Sequence, residues 1–347
     1  MALLLTLATG GPVHASEDVW SLRLAASTLA DDNPAREFAD ANDAPPGVDL
    51  GLSVLGTASG RRTGERTQVG GSYSLGGRTY SRFSDQRFLV QGASLESSVA
   101  LGRAWGVGVE ARGKDRRGGN RAYTDLAASV FAEYVPDVRL DVRLWAGAHR
   151  FLYRPAFQWS FGAPEVGVSA RYRFAQRHAG VAFADAGSRG YHSLARARTP
   201  EGATDAPGLA RQDSTTSVGV GYRYRGRLTW GLTYSYMEQR SNSFGETVLR
   251  HRLSGNAGLR LPWRVNLLAQ GTLGLNRFPD RVYLSPEIIL LDDDEAQNAL
   301  SVRLARPLGK NVDAELSYGL YGARLPRSAL TYLRQVAAVG LSVRFGD

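Results

Sequence analysis

Val218 to Tyr236 reads VGVGYRYRGRLTWGLTYSY. One parity holds Val218, Val220, Tyr222 and Tyr224, and the other holds Gly219, Gly221 and Arg223. After the Arg225-Gly226-Arg227 turn, Leu228, Trp230, Leu232, Tyr234 and Tyr236 alternate with Thr229, Gly231, Thr233 and Ser235. Successive side chains of a strand point to opposite faces. The stretch is therefore a β-hairpin with one apolar and one polar side.

The same period extends in both directions. Val138, Leu140, Val142, Leu144 and Ala146 oppose Arg139, Asp141, Arg143, Trp145 and Gly147. Val312, Ala314, Leu316, Tyr318 and Leu320 oppose Asp313, Glu315, Ser317, Gly319 and Tyr321. Alternation alone also fits a soluble sandwich, so segment length and connection length decide. The segments run ~10–15 residues, beyond the usual 5–6 of globular strands and matched to a tilted spanning strand of ~9–11. Tight connections fall at Gly102-Arg103-Ala104, Val135-Pro136-Asp137, Ala175-Gln176-Arg177, Arg225-Gly226-Arg227, Leu261-Pro262-Trp263 and Pro307 to Asn311. Long polar ones fall near 113–121, 151–160, 188–213, 240–247, 277–295 and 324–330. Short periplasmic turns alternating with long outer loops are the pattern of a bacterial outer-membrane barrel.

With the last strand, 331–345, ending in the periplasm, the others fall near 312–323, 296–306, 264–276, 247–260, 228–240, 213–224, 178–188, 160–174, 138–150, 121–134, 105–113, 86–101, 66–79, 48–59 and 17–28. The expected fold is all-β: a transmembrane antiparallel up-and-down barrel of about 16 strands, within roughly 14–18. In lipid every amide must be paired inside the protein, and a closed barrel leaves no edge. Trp105, Tyr134, Trp230 and Trp263 fit an interfacial aromatic belt.

Composition agrees. The 347 residues include 40 Gly, 15 Tyr and 6 Trp but no Cys, which excludes a disulfide scaffold and thiolate metal sites. After the N-terminus no apolar run approaches the ~20 residues of a spanning helix. The net charge of +9 comes from arginines spread along the whole chain, with Lys114 and Lys310 the only lysines. No basic-aromatic reader motif accompanies them, so no nucleic-acid partner is expected. The start, MALLLTLATGGPVHAS, has a short apolar segment and a small-residue cleavage site at Val13-His14-Ala15. Residues 1–15 are expected to be a signal peptide whose start is truncated, and 16–347 a single barrel domain in the outer membrane.

With the apolar parity toward lipid, the lumen collects Glu110, Arg112, Arg139, Asp141, Arg143, Glu165, Arg171, Arg173, Arg223, Arg252, Arg260, Arg303, Asp313, Glu315 and Arg344. The pore-lining candidates among them are Arg139, Arg143, Arg171, Arg173, Arg223, Arg303, Arg344, Asp313 and Glu315. Guanidinium groups fork onto carboxylate and phosphate oxygens, which suits an anion-favouring or sugar-binding wall. A lattice of arginine–carboxylate pairs that fills the lumen is the alternative.

The segment FPDRVYLSPEIILLDDDEAQ after Arg277 joins an apolar stretch to Asp292, Asp293, Asp294 and Glu295. Those carboxylates are expected to be a solvated run, or else a constriction loop folded into the barrel. The oxygen spacing of a calcium loop is absent, so no metal is expected. Residues 189–213, rich in Gly, Ala and Pro, read as a mobile surface loop. The basic stretch from Asp115 to Arg121 is placed to meet lipopolysaccharide phosphates. His149, His178, His192 and His251 stand without a nucleophile elbow or a His-Glu-x-x-His motif, so no enzyme activity and no cofactor are expected.

Val339-Gly340-Leu341-Ser342-Val343-Arg344-Phe345 resembles the C-terminal assembly signal of outer-membrane barrels, although Gly346 and Asp347 follow the Phe. That resemblance implies the barrel-assembly machinery as a partner. The region 48–345, through hairpins such as Tyr222 to Leu228 and the last hairpin from Leu316 to Phe345, loosely resembles the barrels of exopolysaccharide exporters of the poly-N-acetylglucosamine and cellulose type. It implies export of a sugar chain through a lumen mixing arginine, carboxylates and rings such as Trp145 and Tyr321, with a periplasmic export partner. A general diffusion porin with a basic lumen, and a structural or adhesive barrel, are the rival functions, because fold does not fix function.

Overall fold

The computed structural model describes residues 17–37, 47–119, 121–200, 202–280, 298–324 and 331–346. They form a closed barrel in which each strand pairs antiparallel with its sequence neighbours and the first closes onto the last. The strands are β1 (Glu17–Asp31), β2 (Asp49–Thr63), β3 (Thr67–Tyr80), β4 (Phe88–Ala100), β5 (Trp105–Arg117), β6 (Tyr123–Tyr134), β7 (Leu140–Tyr153) and β8 (Phe161–Ala175). They continue as β9 (His178–Thr199), β10 (Gly202–Arg225), β11 (Leu228–Ser241), β12 (Val248–Arg260), β13 (Asn266–Arg277), β14 (Asn298–Pro307), β15 (Val312–Arg324) and β16 (Thr331–Gly346). The seam runs from Ser21 opposite Gly346 to Asp31 opposite Val336. All strand edges are thereby paired.

Residues directly opposite in the ladder share a face, which fixes what each face carries. Outward stand Leu52 and Val54 on β2, Val107 and Val109 on β5, Val218 and Val220 on β10 and Leu273 and Leu275 on β13, all exposed. Water could not tolerate a continuous apolar band of this kind around a monomer, whereas lipid requires it. Inward stand small, polar and charged residues. The tight connections and both chain ends of the described barrel lie at one end, the periplasmic one.

An aromatic belt rims that end on the outer face. Trp105 packs against Tyr134 with ring centroids 4.7 Å apart. Tyr222 lies 5.0 Å from Trp230, and His178 lies 5.1 Å from Tyr224. In the turn from Leu261 to Val265, Trp263 and Arg264 take positive φ values of 58° and 62°, and Trp263 is 83 % exposed. Amphipathic rings favour the lipid headgroup level.

One expectation from the sequence is overturned. Residues 189–213 are not a surface loop: they extend β9 and β10 into a hairpin standing above the other strands. Pairing runs from His178 opposite Tyr224 up to Thr199 opposite Gly202, with register shifts between Asp205 and Ala210 and between Ala210 and Gln212. Pro207 and Gly208 (φ +77°) fall in the irregular stretch, where a missing amide donor and a left-handed residue cost least. Low β-propensity hid the strands. Likewise β5 runs to Arg117 and β7 to Tyr153, so the loops expected at 113–121 and 151–160 are shorter.

Candidate functional site: the barrel lumen

The inner face divides along the barrel axis. At the extracellular end β1, β3 and β16 bring together Asp31, Tyr80 and Arg334. Arg334 donates from Nε to Asp31 Oδ1 (3.0 Å) and from Nη2 to Oδ2 (2.6 Å), while Tyr80 donates to Oδ2 (2.7 Å). Arg334 is 2 % exposed and Asp31 0 %. Leu29 and Val336 pack beside them. Such a fork is the stable way to bury a charge, since either partner alone would be left desolvated. At the neighbouring corner Asp49 accepts from the amides of Arg82 (2.9 Å) and Phe83 (3.0 Å) and from Ser81 Oγ (2.8 Å), fixing the turn before β4.

Across the rim, Arg211 on β10 forks onto Asp213 (3.2 and 2.8 Å), lies 3.4 Å from Glu246 and stacks over Tyr191 at 4.0 Å. Gln239 donates to Asp213 (2.6 Å) and Arg189 to Gln239 (3.2 Å). Tyr123, Phe151, Tyr153, Trp159 and Phe161 form the adjoining aromatic core. Glu246 sits in the loop before β12, outside the spanning strands. Burial raises its carboxyl above the ordinary value, and Arg211 opposes the shift.

Midway down, Arg143 is 8 % exposed and reaches Glu110 (3.0 Å), Glu133 (3.5 Å) and Glu96 (3.9 Å), with its guanidinium 3.5 Å over the Phe131 ring. His149 bridges Asp125 (2.8 Å) and Glu165 (3.2 Å). Phe131 and Trp145 are direct cross-strand neighbours. Each ring lies against an inward glycine: a Cβ at Gly108 would meet Phe131 at 2.4 Å, and one at Gly167 would meet Trp145 at 2.6 Å. These glycines let the rings lie along the wall instead of crossing the lumen. Trp145 thereby lines a cavity of about 220 Å³ with Glu110, Arg112, Arg143, Glu165 and Ser169.

Lower down, a cavity of about 560 Å³ is lined by Arg23, Asn256, Arg260, Gln270, Arg303 and Arg344 among others. Arg303 donates to Glu315 (2.7 Å), which also takes Arg23 and the Ser342 hydroxyl. Arg344 pairs with Asp313 (2.7 Å) but stays 62 % exposed on its side chain. Arg171 pairs with Asp141 (3.2 Å). By contrast Arg112, Arg139, Arg173, Arg223 and Arg260 form no close ion pair among the described residues, although Arg112 acts on Glu165 and Arg139 on Asp137 at longer range.

The residues singled out from the sequence thus separate into two groups. Arg143, Arg171, Arg303 and Arg344 are tied to carboxylates, Asp313 and Glu315 being two of them. Arg139, Arg173 and Arg223 are not. Asp292, Asp293, Asp294 and Glu295 lie outside the described residues. Sequence reasoning missed Arg23, Asp31 and Arg334, whose partners come from other strands, and Arg211, whose partner Asp213 is two positions along the same strand in a stretch read as a loop. The basic stretch after Lys114 mixes roles. Asp115 takes Thr124 (2.6 Å), Arg117 (2.8 Å) and Arg154, whereas Arg121 is buried. The histidines have structural neighbours: His251 bonds Tyr234 (2.7 Å), His178 bonds Tyr222 and His192 packs tilted against Phe157 at 4.6 Å.

A closed ladder of lipid-length strands, an apolar outer belt and a charged lumen define an outer-membrane β-barrel, crossing the membrane by its strands. Neither a protein-family model nor a curated protein matches the sequence. Solved structures do match. OmpTdeltaL8, a loop-deletion mutant of OmpT, an outer membrane protein of Vibrio cholerae, is 10 % identical with a TM-score of 0.46, covering 96 % of this chain and 100 % of that one. A bacterial polysaccharide outer membrane secretin is 9 % identical with a TM-score of 0.45, covering 94 % and 98 %. The deltaS2 mutant of the TodX monoaromatic hydrocarbon channel is 11 % identical with a TM-score of 0.44, covering 94 % and 90 %.

Proposed function

We propose that this barrel is an outer-membrane channel through which an exopolysaccharide leaves the cell. The observation that carries the reading is the Trp145 cavity. A ring lies along the lumen wall, held there by Gly167, among carboxylates and guanidinium groups at Glu110, Arg112 and Glu165. A flat apolar face flanked by planar hydrogen-bonding groups suits pyranose rings, which present C–H faces and hydroxyl edges. On this reading residues 1–15 are a leader and the mature chain starts near Ser16. The barrel-assembly machinery inserts it among lipid and lipopolysaccharide, and a periplasmic partner delivers the chain.

A general diffusion porin is the second reading, favoured by Arg173, Arg223 and Arg260, which have no carboxylate partner among the described residues. Single-channel conductance of the purified barrel, with the reversal potential in a salt gradient, separates the possibilities. Steady anion-favouring current supports the porin. A low current that rises on deletion of residues 277–295 supports a gated exporter. A folded, heat-modifiable barrel that stays silent even after the deletion removes both channel readings and leaves a structural or adhesive barrel.

A further inference from the structure

Arg139, Arg171, Arg173, Arg223 and Arg225 crowd the periplasmic ends of β7, β8 and β10 on the inward parity. Arg173 on β8 and Arg223 on β10 stand in one row, each directly opposite Ala179 of the intervening β9. On its other side Arg223 faces Gly231 of β11. The small side chains of Ala179 and Gly231 leave Arg223 exposed and Arg173 half-buried. Arg173, Arg223 and Arg225 are close enough to act on Arg171 as like charges. The Arg173 amide bonds the Arg139 carbonyl at 2.7 Å, so Arg139 begins the same row.

The nearby carboxylates are already engaged. Glu133, which acts on Arg171 at longer range, is held by Arg143 (3.5 Å). Asp141 pairs with Arg171 (3.2 Å). Asp137 accepts the backbone amides of Arg139 (2.7 Å) and Leu140 (3.0 Å). Among the described residues the five guanidinium groups outnumber the carboxylates beside them. The excess of like charge works against the fold, a cost that a bound anion would return. The row from β7 to β10 spans three strand spacings, roughly 14 Å. That length fits several anionic groups in sequence, not one small ion. The side chains also line the inside of the barrel mouth, where a folded protein could not reach all of them.

We infer that this arginine row is the entry site for an acidic polysaccharide, a chain bearing carboxylate groups at regular intervals, which the barrel captures at its periplasmic mouth. The inference rests on the export reading above and narrows its cargo to a polyanion. Carboxylates spaced along a sugar chain would each accept a guanidinium fork.

The test uses the full-length barrel, folded in detergent and checked by heat-modifiable migration. The probe is oligogalacturonate, with a maltooligosaccharide of equal length as the neutral control. Binding of oligogalacturonate but not of the neutral sugar is expected, weakening in 1 M salt, where the screening length falls to about 3 Å. The triple variant Arg173→Gln, Arg223→Gln, Arg225→Gln is expected to bind it about tenfold more weakly or worse. If the triple variant does not fold, Arg223→Gln alone carries the test, since that exposed side chain holds no partner among the described residues whose loss would unfold the barrel. Equal binding of the neutral sugar, or acidic-sugar binding unchanged in a folded variant, overturns the inference. Conductance keeps the two claims apart. A barrel that binds oligogalacturonate through the row but never conducts removes the channel and keeps the site, while a conducting barrel indifferent to the acidic sugar does the reverse.

Discussion

Arg334, near the extracellular end of β16, is 2 % exposed and forked onto Asp31. Arg223, near the periplasmic end of β10, faces the lumen with no carboxylate partner among the described residues. Both occupy the inner face of the same barrel, yet one is spent on holding strands together and the other is left available. The extracellular rim repeats the first pattern at Arg211 with Asp213 and Glu246, and at Asp49 with three donors from the turn between β3 and β4. The periplasmic mouth repeats the second at Arg173 and Arg225. Charge count therefore says little about this lumen until each charge is matched to its partner. A pair with both members buried specifies structure, because losing either member strands the other in low dielectric. A lone exposed guanidinium specifies nothing about the fold and is free to act on whatever passes.

The largest expected effect comes from breaking a rim pair. Arg334→Ala leaves Asp31 buried with the Tyr80 hydroxyl, the Asn33 amide and only a 4.0 Å approach of Arg78 in place of the fork, at a cost of about 3–5 kcal/mol, read from denaturant unfolding in detergent. The double variant Asp31→Asn, Arg334→Met is expected to recover most of that loss. If Arg334→Ala were as stable as the parent, the rim would not be the structural tier. Next comes the boundary between tiers. Gly167→Val places atoms where a Cβ already meets the Trp145 indole at 2.6 Å. The ring must swing off the wall, with a stability loss of about 1–3 kcal/mol and a smaller single-channel current. An unchanged current would mean that the Trp145 level does not limit flow.

In the lower tier the expectation reverses. Arg173→Glu with Arg223→Glu should move the reversal potential toward cation preference while changing stability by only about 0.5 kcal/mol per site. A stability loss as large as that of Arg334→Ala would erase the distinction between the tiers. The smallest effect concerns Glu246. Burial raises its carboxyl above the ordinary value, so the folded rim binds a proton more tightly than the unfolded chain. The rim is then most favourable with Glu246 protonated, and it loosens as pH rises from the ordinary carboxylate range through the raised value. Limited proteolysis of the 242–247 loop against pH should show this trend, and Glu246→Gln should flatten it. Protection that increased with pH would contradict the sign.

Period-2 alternation placed most strands within a few residues of their positions. The expected 228–240, 312–323 and 331–345 appear as Leu228–Ser241, Val312–Arg324 and Thr331–Gly346. It failed where composition and ladder disagree. The upper parts of β9 and β10 are too rich in Gly, Ala, Ser and Pro to look like strands, yet cross-strand pairing holds them. Inward parity was equally legible, and Arg143, Arg173 and Arg223 all lie on the face their position assigned.

Which of those arginines were committed was not legible. Asp31 and Arg334 are 303 positions apart and meet only because β1 closes onto β16. Arg143 gathers glutamates from β4, β5 and β6. The sequence by itself determined the strands, their faces and the membrane they suit, because the side-chain period of a strand is local. Only the closed barrel decided which charges are neutralised, which rings lie on glycines and which arginines remain uncovered. Those outcomes depend on ladder register between strands, and no single strand carries that information.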